Sequence, residues 1–227
     1  LRALVKEIGR GNDKLSDAET SDLRKWSMKI WNACIRLSQK TAGGTVDEIN
    51  CQLRHLACDV LRVTVFGSCK PSEESRLCLV RLLSKTGKCW SELKRDGLSN
   101  SLFGSAMEVY ENLEKESPCS KLKTEEERRK RRSALFLALC WRAEAAWATK
   151  QKDVAMTLTM KSKNVIQEAE SDGSGLSNED VSVLSQFTYD AALALFLEKE
   201  YNEAKSWLQQ CIELQERQGQ GQQQHTP

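Results

Sequence analysis

Apolar side chains recur along this chain at intervals of three and four, and no segment alternates polar and apolar residues with the period of a strand. Breaks in the pattern are few. Proline occurs only at positions 71, 118 and 227, and the interrupting glycines are Gly43-Gly44, Gly67, Gly97, Gly173 and Gly175. Between these breaks the periodicity predicts amphipathic helices over residues 2–9, 21–41, 46–66, 72–94, 98–116, 123–150, 152–170, 177–199 and 201–218. Short polar residues followed by acidic ones mark several starts: Ser21-Asp22, Ser72 with Ser75 after Pro71, Thr124 before Glu125–Glu127, and Ser177 before Glu179-Asp180. Such residues accept hydrogen bonds from the free N–H groups of a first turn and complement the helix dipole.

Helices in series with short connections pack as antiparallel hairpins, and a run of hairpins predicts stacked repeats. Three stretches fit the tetratricopeptide pattern, in which a small residue marks the crossing of two helices in one hairpin. In the first, Leu83-x2-Thr86-Gly87-x2-Trp90 is followed by Ser99, Phe103 and Ala106 at the second-helix positions. In the second, Ala143 takes the place of Gly87 and Ala155 is the small second-helix residue. In the third these roles fall to Ala192 and Ala204, with Tyr201, Leu208 and Cys211 in register. The steps from Gly87 to Ala143 and from Ala143 to Ala192 are 56 and 49 residues, longer than the roughly 34 of the standard repeat. Longer helices or loops such as Ser171 to Asp180 take up the difference. The expected fold is all-α, antiparallel hairpins stacked as a tetratricopeptide-like solenoid over residues 1–218, with a disordered Gln/Gly-rich tail at 219–227.

The composition is that of an ordinary globular chain. A hydrophobic fraction of 40% over 227 residues is enough for a sizeable core. The longest apolar runs, such as Ala134 to Trp141, are far shorter than the roughly 18 residues of a membrane span, and no N-terminal stretch has the form of a signal peptide. An intracellular protein is expected. Basic and acidic residues nearly cancel, 34 against 32, which disfavours a dedicated nucleic-acid binder. Nine cysteines are scattered through helical patterns and read as reduced thiols, most of them small core residues. Beginning at Leu1 and ending in a Gln/Gly run, the sequence reads as a fragment of a longer chain.

Candidate chemistry is sparse. Cys51, His55 and Cys58 share one helical face and could supply three zinc ligands, but no fourth lies nearby and the same spacing describes a packed helical seam. His55 is the only histidine outside the tail, and no triad, HExxH or phosphate-binding loop is present, so no enzymatic activity and no cofactor are expected. Arg128-Arg129-Lys130-Arg131-Arg132 is the one dense basic run. It is open to reading as an import signal, a DNA-backbone contact, a patch for an acidic partner, or a solvated face neutralised by pairs such as Glu125–Arg129 and Glu127–Arg131. Of six tryptophans, Trp26, Trp31, Trp90 and Trp207 fall on apolar faces and are expected in the core. In the repeat register Glu144 and Trp147, and in the next unit Tyr189, Leu193 and Phe196, face the concave groove. There they would form a protein-binding surface unless a neighbouring repeat covers them.

Three segments are similar to the N-terminal part of the Spo-twenty-two/Zip-four family, whose animal members are testis-expressed proteins: Ile30-Trp31-Asn32-Ala33, Leu53-Arg54-His55-Leu56-Ala57-Cys58-Asp59-Val60-Leu61, and Lys85-Thr86-Gly87-Lys88-Cys89-Trp90. Ala106-Met107-Glu108-Val109-Tyr110-Glu111 extends the similarity to about residue 113. The resemblance implies a tetratricopeptide scaffold of meiotic chromosomes in the nucleus that promotes crossover formation and synapsis. Its implied partners are an XPF-like and ERCC-like pair, a RING-type crossover factor and chromosome-axis proteins. The rival expectation is a chromosomal protein touching DNA through residues 128–132.

Overall fold

The computed structural model describes residues 16–40, 47–67 and 71–223. The helix expected over 2–9 lies outside them. Eight α-helices form among the described residues: α1 (Asp17–Lys40), α2 (Glu48–Gly67), α3 (Glu73–Glu92), α4 (Asp96–Glu116), α5 (Glu125–Ala148), α6 (Lys152–Ser171), α7 (Asn178–Leu197) and α8 (Tyr201–Gln223), with a 3-10 turn at Cys119–Lys121. No strand occurs among these residues, so the all-α expectation holds.

The caps follow from the sequence signals. Ser72 Oγ accepts from Ser75 N at 3.2 Å, Ser177 Oγ from Asp180 N at 3.1 Å, and Thr124 and Glu127 exchange two bonds of 3.2 Å in a capping box. At α1 the cap is Ser16, whose Oγ accepts from Glu19 N while Glu19 accepts from Ser16 N. This helix therefore begins at Asp17, four residues before the expected start. Its C-terminal counterpart α8 continues to Gln223, so the Gln/Gly-rich segment starts inside a helix.

Helices pair in sequence order into four hairpins, α1–α2, α3–α4, α5–α6 and α7–α8, grouped in two compact units, residues 1–121 and 122–227. In the first unit α2 packs on α3 as well as on its hairpin partner. Gly87 lies against the Phe103 ring, as the repeat register requires: a Cβ there would stand 3.1 Å from a ring carbon. Trp31 and Trp90 are buried. Trp26 is not, contrary to the expectation of a core position: it is 60% exposed with the Lys29 ammonium 5.0 Å above its ring. The apolar stripe of α1 that meets α2 runs instead through Trp31 and Cys34, with Ser27 donating to the Ala57 carbonyl at 2.8 Å. In the second unit α5 contacts α7, and the core joins Phe136, Leu139, Ala143 and Ala155 to Leu184, Ala192, Leu195 and Trp207.

Three hairpins share one turn. Lys94, Lys150 and Lys199 each have a left-handed backbone, with φ of 57°, 61° and 66°, seven residues after Gly87, Ala143 and Ala192 respectively. Around each, the residue after the lysine donates five residues back and the lysine three back: Arg95 N to Trp90 O and Lys94 N to Ser91 O, Gln151 N to Ala146 O and Lys150 N to Trp147 O, Glu200 N to Leu195 O and Lys199 N to Phe196 O. This is the Schellman closure, which normally favours glycine. Its recurrence at the same distance from the small crossing residue identifies the three hairpins as one structural repeat.

Candidate functional site

The repeat register places Tyr189, Leu193 and Phe196 on α7, and Ala192 and Ala204 at its crossing with α8. Because the crossing residues are small, the helices close tightly and large side chains project at the edges of the seam. The result is a groove of about 340 Å³ lined by Tyr189, Leu193 and Phe196 from α7 and by Tyr201, Lys205 and Leu208 from α8. Phe196 and Tyr201 are 57% and 56% exposed and meet edge to face, ring centroids 5.5 Å apart. Tyr189, Leu193 and Leu208 are also exposed, and Lys205 is the only charged residue in the lining. The sequence reading missed Tyr201 and Leu208 as binding residues. Their signal was present as a seven-residue spacing on the second helix, which puts both on the same face.

Glu144 and Trp147 are not part of this groove. Both are half-buried, and Trp147 packs edge to face on Phe187 at 6.4 Å and on Trp207 at 5.1 Å. The expected groove-facing role of Trp147 is therefore replaced by a place in the packing between α5 and the α7–α8 hairpin. The positions 49 residues earlier than the exposed set show the same substitution of roles. Cys140 and Thr159 are fully buried, whereas their counterparts Tyr189 and Leu208 are exposed. Lys163, counterpart of exposed Ile212, is buried with its Nζ 2.6 Å from Gln210 Oε1 and 2.5 Å from Glu213 Oε2 on α8. The Lys163 bond holds the Glu213 carboxyl below its usual range, against a smaller effect of burial. The face of α5–α6 is thus occupied by the next hairpin, and the equivalent face of α7–α8 presents apolar side chains to solvent.

The basic run is divided by the helix. Arg131 is fully buried, which corrects its expected place on an exposed patch. Arg128 and Arg132 both reach Asp172, at 3.5 and 2.7 Å, and Arg132 also donates to the Glu168 carbonyl at 2.6 Å while Arg128 donates to the Leu122 carbonyl at 2.8 Å. Burial opposes ionisation of Asp172, but bonds from Ser174 and the Arg132 guanidinium hold its carboxyl below the ordinary value. Arg129 and Lys130 are exposed and both pair with Glu126. Five consecutive residues turn through more than a full circle of helix, so no contiguous cationic face arises from the run.

Cys51 and Cys58 are buried on α2, and each bonds outward to α3: Cys51 to Cys89 and Cys58 to Thr86, the latter at 3.3 Å. His55 lies edge to face with Trp90, ring centroids 6.3 Å apart. Among the described residues no group of three His, Cys, Asp or Glu side chains is placed to hold a metal ion, and no helix is long and apolar enough to cross a membrane. Compared with known proteins, the chain matches no protein-family model, no curated protein and no solved structure.

Proposed function

We propose that this chain is a non-enzymatic protein-binding scaffold that engages a helical segment of its partner through the α7–α8 groove. The observation that carries the reading is the contrast between two equivalent faces. The α5–α6 face has its register positions fully buried at Cys140 and Thr159 and half-buried at Glu144 and Trp147, and the α7–α8 face exposes the matching Tyr189, Leu208, Leu193 and Phe196, with Tyr201 beside them. Contiguous apolar surface of this kind mostly marks an interaction site, and helix-in-groove recognition suits its shape. The similarity of residues 30–33, 53–61, 85–90 and 106–111 to the Spo-twenty-two/Zip-four family supports placing this activity on meiotic chromosomes in the nucleus, in crossover formation and synapsis. The XPF-like and ERCC-like pair, the RING-type crossover factor and the axis proteins are then the partners to try.

The test is titration of those purified partners against the full chain and two variants. Phe196→Ala should leave the melting temperature close to wild type and weaken binding by about 2 kcal/mol, roughly 30-fold, as loss of an interface anchor does. Trp147→Ala should instead lower the melting temperature, because truncating a packed aromatic costs ~3–5 kcal/mol of stability. Wild-type affinity in Phe196→Ala for every partner that binds the chain would remove the groove from consideration. Binding to branched DNA that weakens steeply with added salt would revive the rival role for residues 128–132.

A further inference from the structure

A buried cation in the first unit makes no ion pair among the described residues. Arg54 on α2 is 5% exposed. Its Nε donates to Asn50 Oδ1 at 2.7 Å, its Nη2 to Ser38 Oγ at 3.1 Å and its Nη1 to Cys89 Sγ at 3.5 Å, and its guanidinium lies 5.2 Å from the Trp31 ring centroid. These are an amide, a hydroxyl, a sulfur and an indole face. Among the described residues no carboxylate comes within ion-pair distance of it. A guanidinium does not deprotonate in proteins, and leaving one uncompensated in an interior is strongly destabilising. Of the groups touching it, only the thiol at Cys89 can become an anion. Cys89 is itself buried and shares a hydrogen bond with Cys51, which is fully enclosed. That bond, with Arg54 assisting against the effect of burial, lowers the Cys89 thiol to about 7, while the same bond and burial push Cys51 up. Lys85 favours the Cys89 anion and Glu92 opposes it. Cys34, on which Arg54 acts more weakly than burial does, is raised and keeps its proton.

We propose that Cys51 and Cys89 form a redox modification site, in which Cys89, held against the Arg54 guanidinium, reacts with a low-molecular-weight disulfide, such as oxidised glutathione, to give an intrachain Cys51–Cys89 disulfide joining α2 to α3. The Cys89 sulfur attacks one sulfur of the reagent. A mixed disulfide forms, the reagent's S–S bond breaks, and one thiolate leaves. Cys51 then gives its proton to that thiolate and attacks the Cys89 sulfur, and the second reagent thiolate departs. Two protein sulfurs are oxidised and one disulfide is reduced to two thiols. Access comes from the position of the pair. Cys51 lies in the first turn of α2 and Cys89 in the last turn of α3, and terminal turns open locally at far lower cost than helix centres.

The experiment treats the full chain, folded and reductant-free, with a series of oxidised glutathione concentrations, quenches with acid and maps disulfides by peptide mass spectrometry. The expected product is the Cys51–Cys89 cross-linked peptide pair, formed before any other. In Cys51→Ser the reaction should stop at glutathionylated Cys89, and in Cys89→Ser neither product should appear. Circular dichroism on each variant separates loss of reaction from loss of fold, and the wild-type product needs no variant at all. Alkylation of Cys89 by iodoacetamide in the wild type should rise with pH through a midpoint near 7, below the ordinary thiol value of 9.0. A first disulfide between any other pair, or no reaction of Cys89 under conditions where the chain stays folded, overturns the proposal.

Discussion

Gly87 sits so close to the Phe103 ring that one added carbon would touch three ring atoms between 3.1 and 3.2 Å away. Gly87→Ala therefore sets a helix-propensity gain of about 1 kcal/mol against overpacking of about 1–3 kcal/mol, and Gly87→Leu meets the crossing with far more volume. The expected order of melting temperature is wild type, then Gly87→Ala, then Gly87→Leu. A leucine variant that melts with wild type would show that the α3–α4 crossing can open without cost. The Cys89 thiol makes a second prediction at this scale. Its folded value of about 7 lies below the ordinary 9.0, so between those values the unfolded chain binds more protons than the folded one. Stability should climb from pH 7 to pH 9 and be lost as pH falls through 7, with the trend ending above 9, where unfolded thiols ionise and Cys51 in the fold does not. Urea denaturation at pH 6.5 and 8.5 measures the slope, and Cys89→Ala should flatten it.

The hairpin turns carry an opportunity at the scale of elements. Lys94, Lys150 and Lys199 hold a backbone conformation that costs an L-residue roughly 1–2 kcal/mol, more than the ~0.5–1 kcal/mol that glycine forfeits in chain entropy. Lys199→Gly, at an exposed turn, is therefore expected to raise the melting temperature by a small amount, and the triple replacement by more. A fall would mean that the lysine side chains contribute something that their backbone strain conceals. These turns also show what the sequence made legible. The spacing of twelve from Gly87 to Ser99, Ala143 to Ala155 and Ala192 to Ala204 was readable because small residues at a crossing leave a mark in composition. A lysine at a left-handed turn leaves none, since lysine is an ordinary surface residue. For the same reason Trp26 and Trp147 were exchanged between core and surface. Periodicity tells which residues share a face of a helix, and contact with a neighbouring hairpin decides whether that face is covered. The Arg54–Cys89 pair was beyond reach, because its two residues lie 35 positions apart and meet only after α2 packs on α3.

Across the whole chain, contacts fall into two units that divide between Lys121 and Leu122. The second has its own core, from Phe136 to Leu214, and so residues 122–227 are expected to fold alone, giving a helical circular dichroism spectrum and a cooperative melt. A melt without a transition would show that this core is incomplete without the first unit. The same unit is fastened where the basic run meets the α6–α7 connection, through Arg128 and Arg132 on Asp172. That clasp bears on how cell biology with this protein is to be interpreted. Replacing all five residues 128–132 by glutamate, the usual probe for an import signal, would set like charges against Asp172 and force a charge into the buried site of Arg131. The altered chain would then be misplaced or degraded by quality control whether or not the run is a targeting signal. Changing only Arg129 and Lys130, which stand in solvent, asks the localisation question without dismantling the unit that has to be localised.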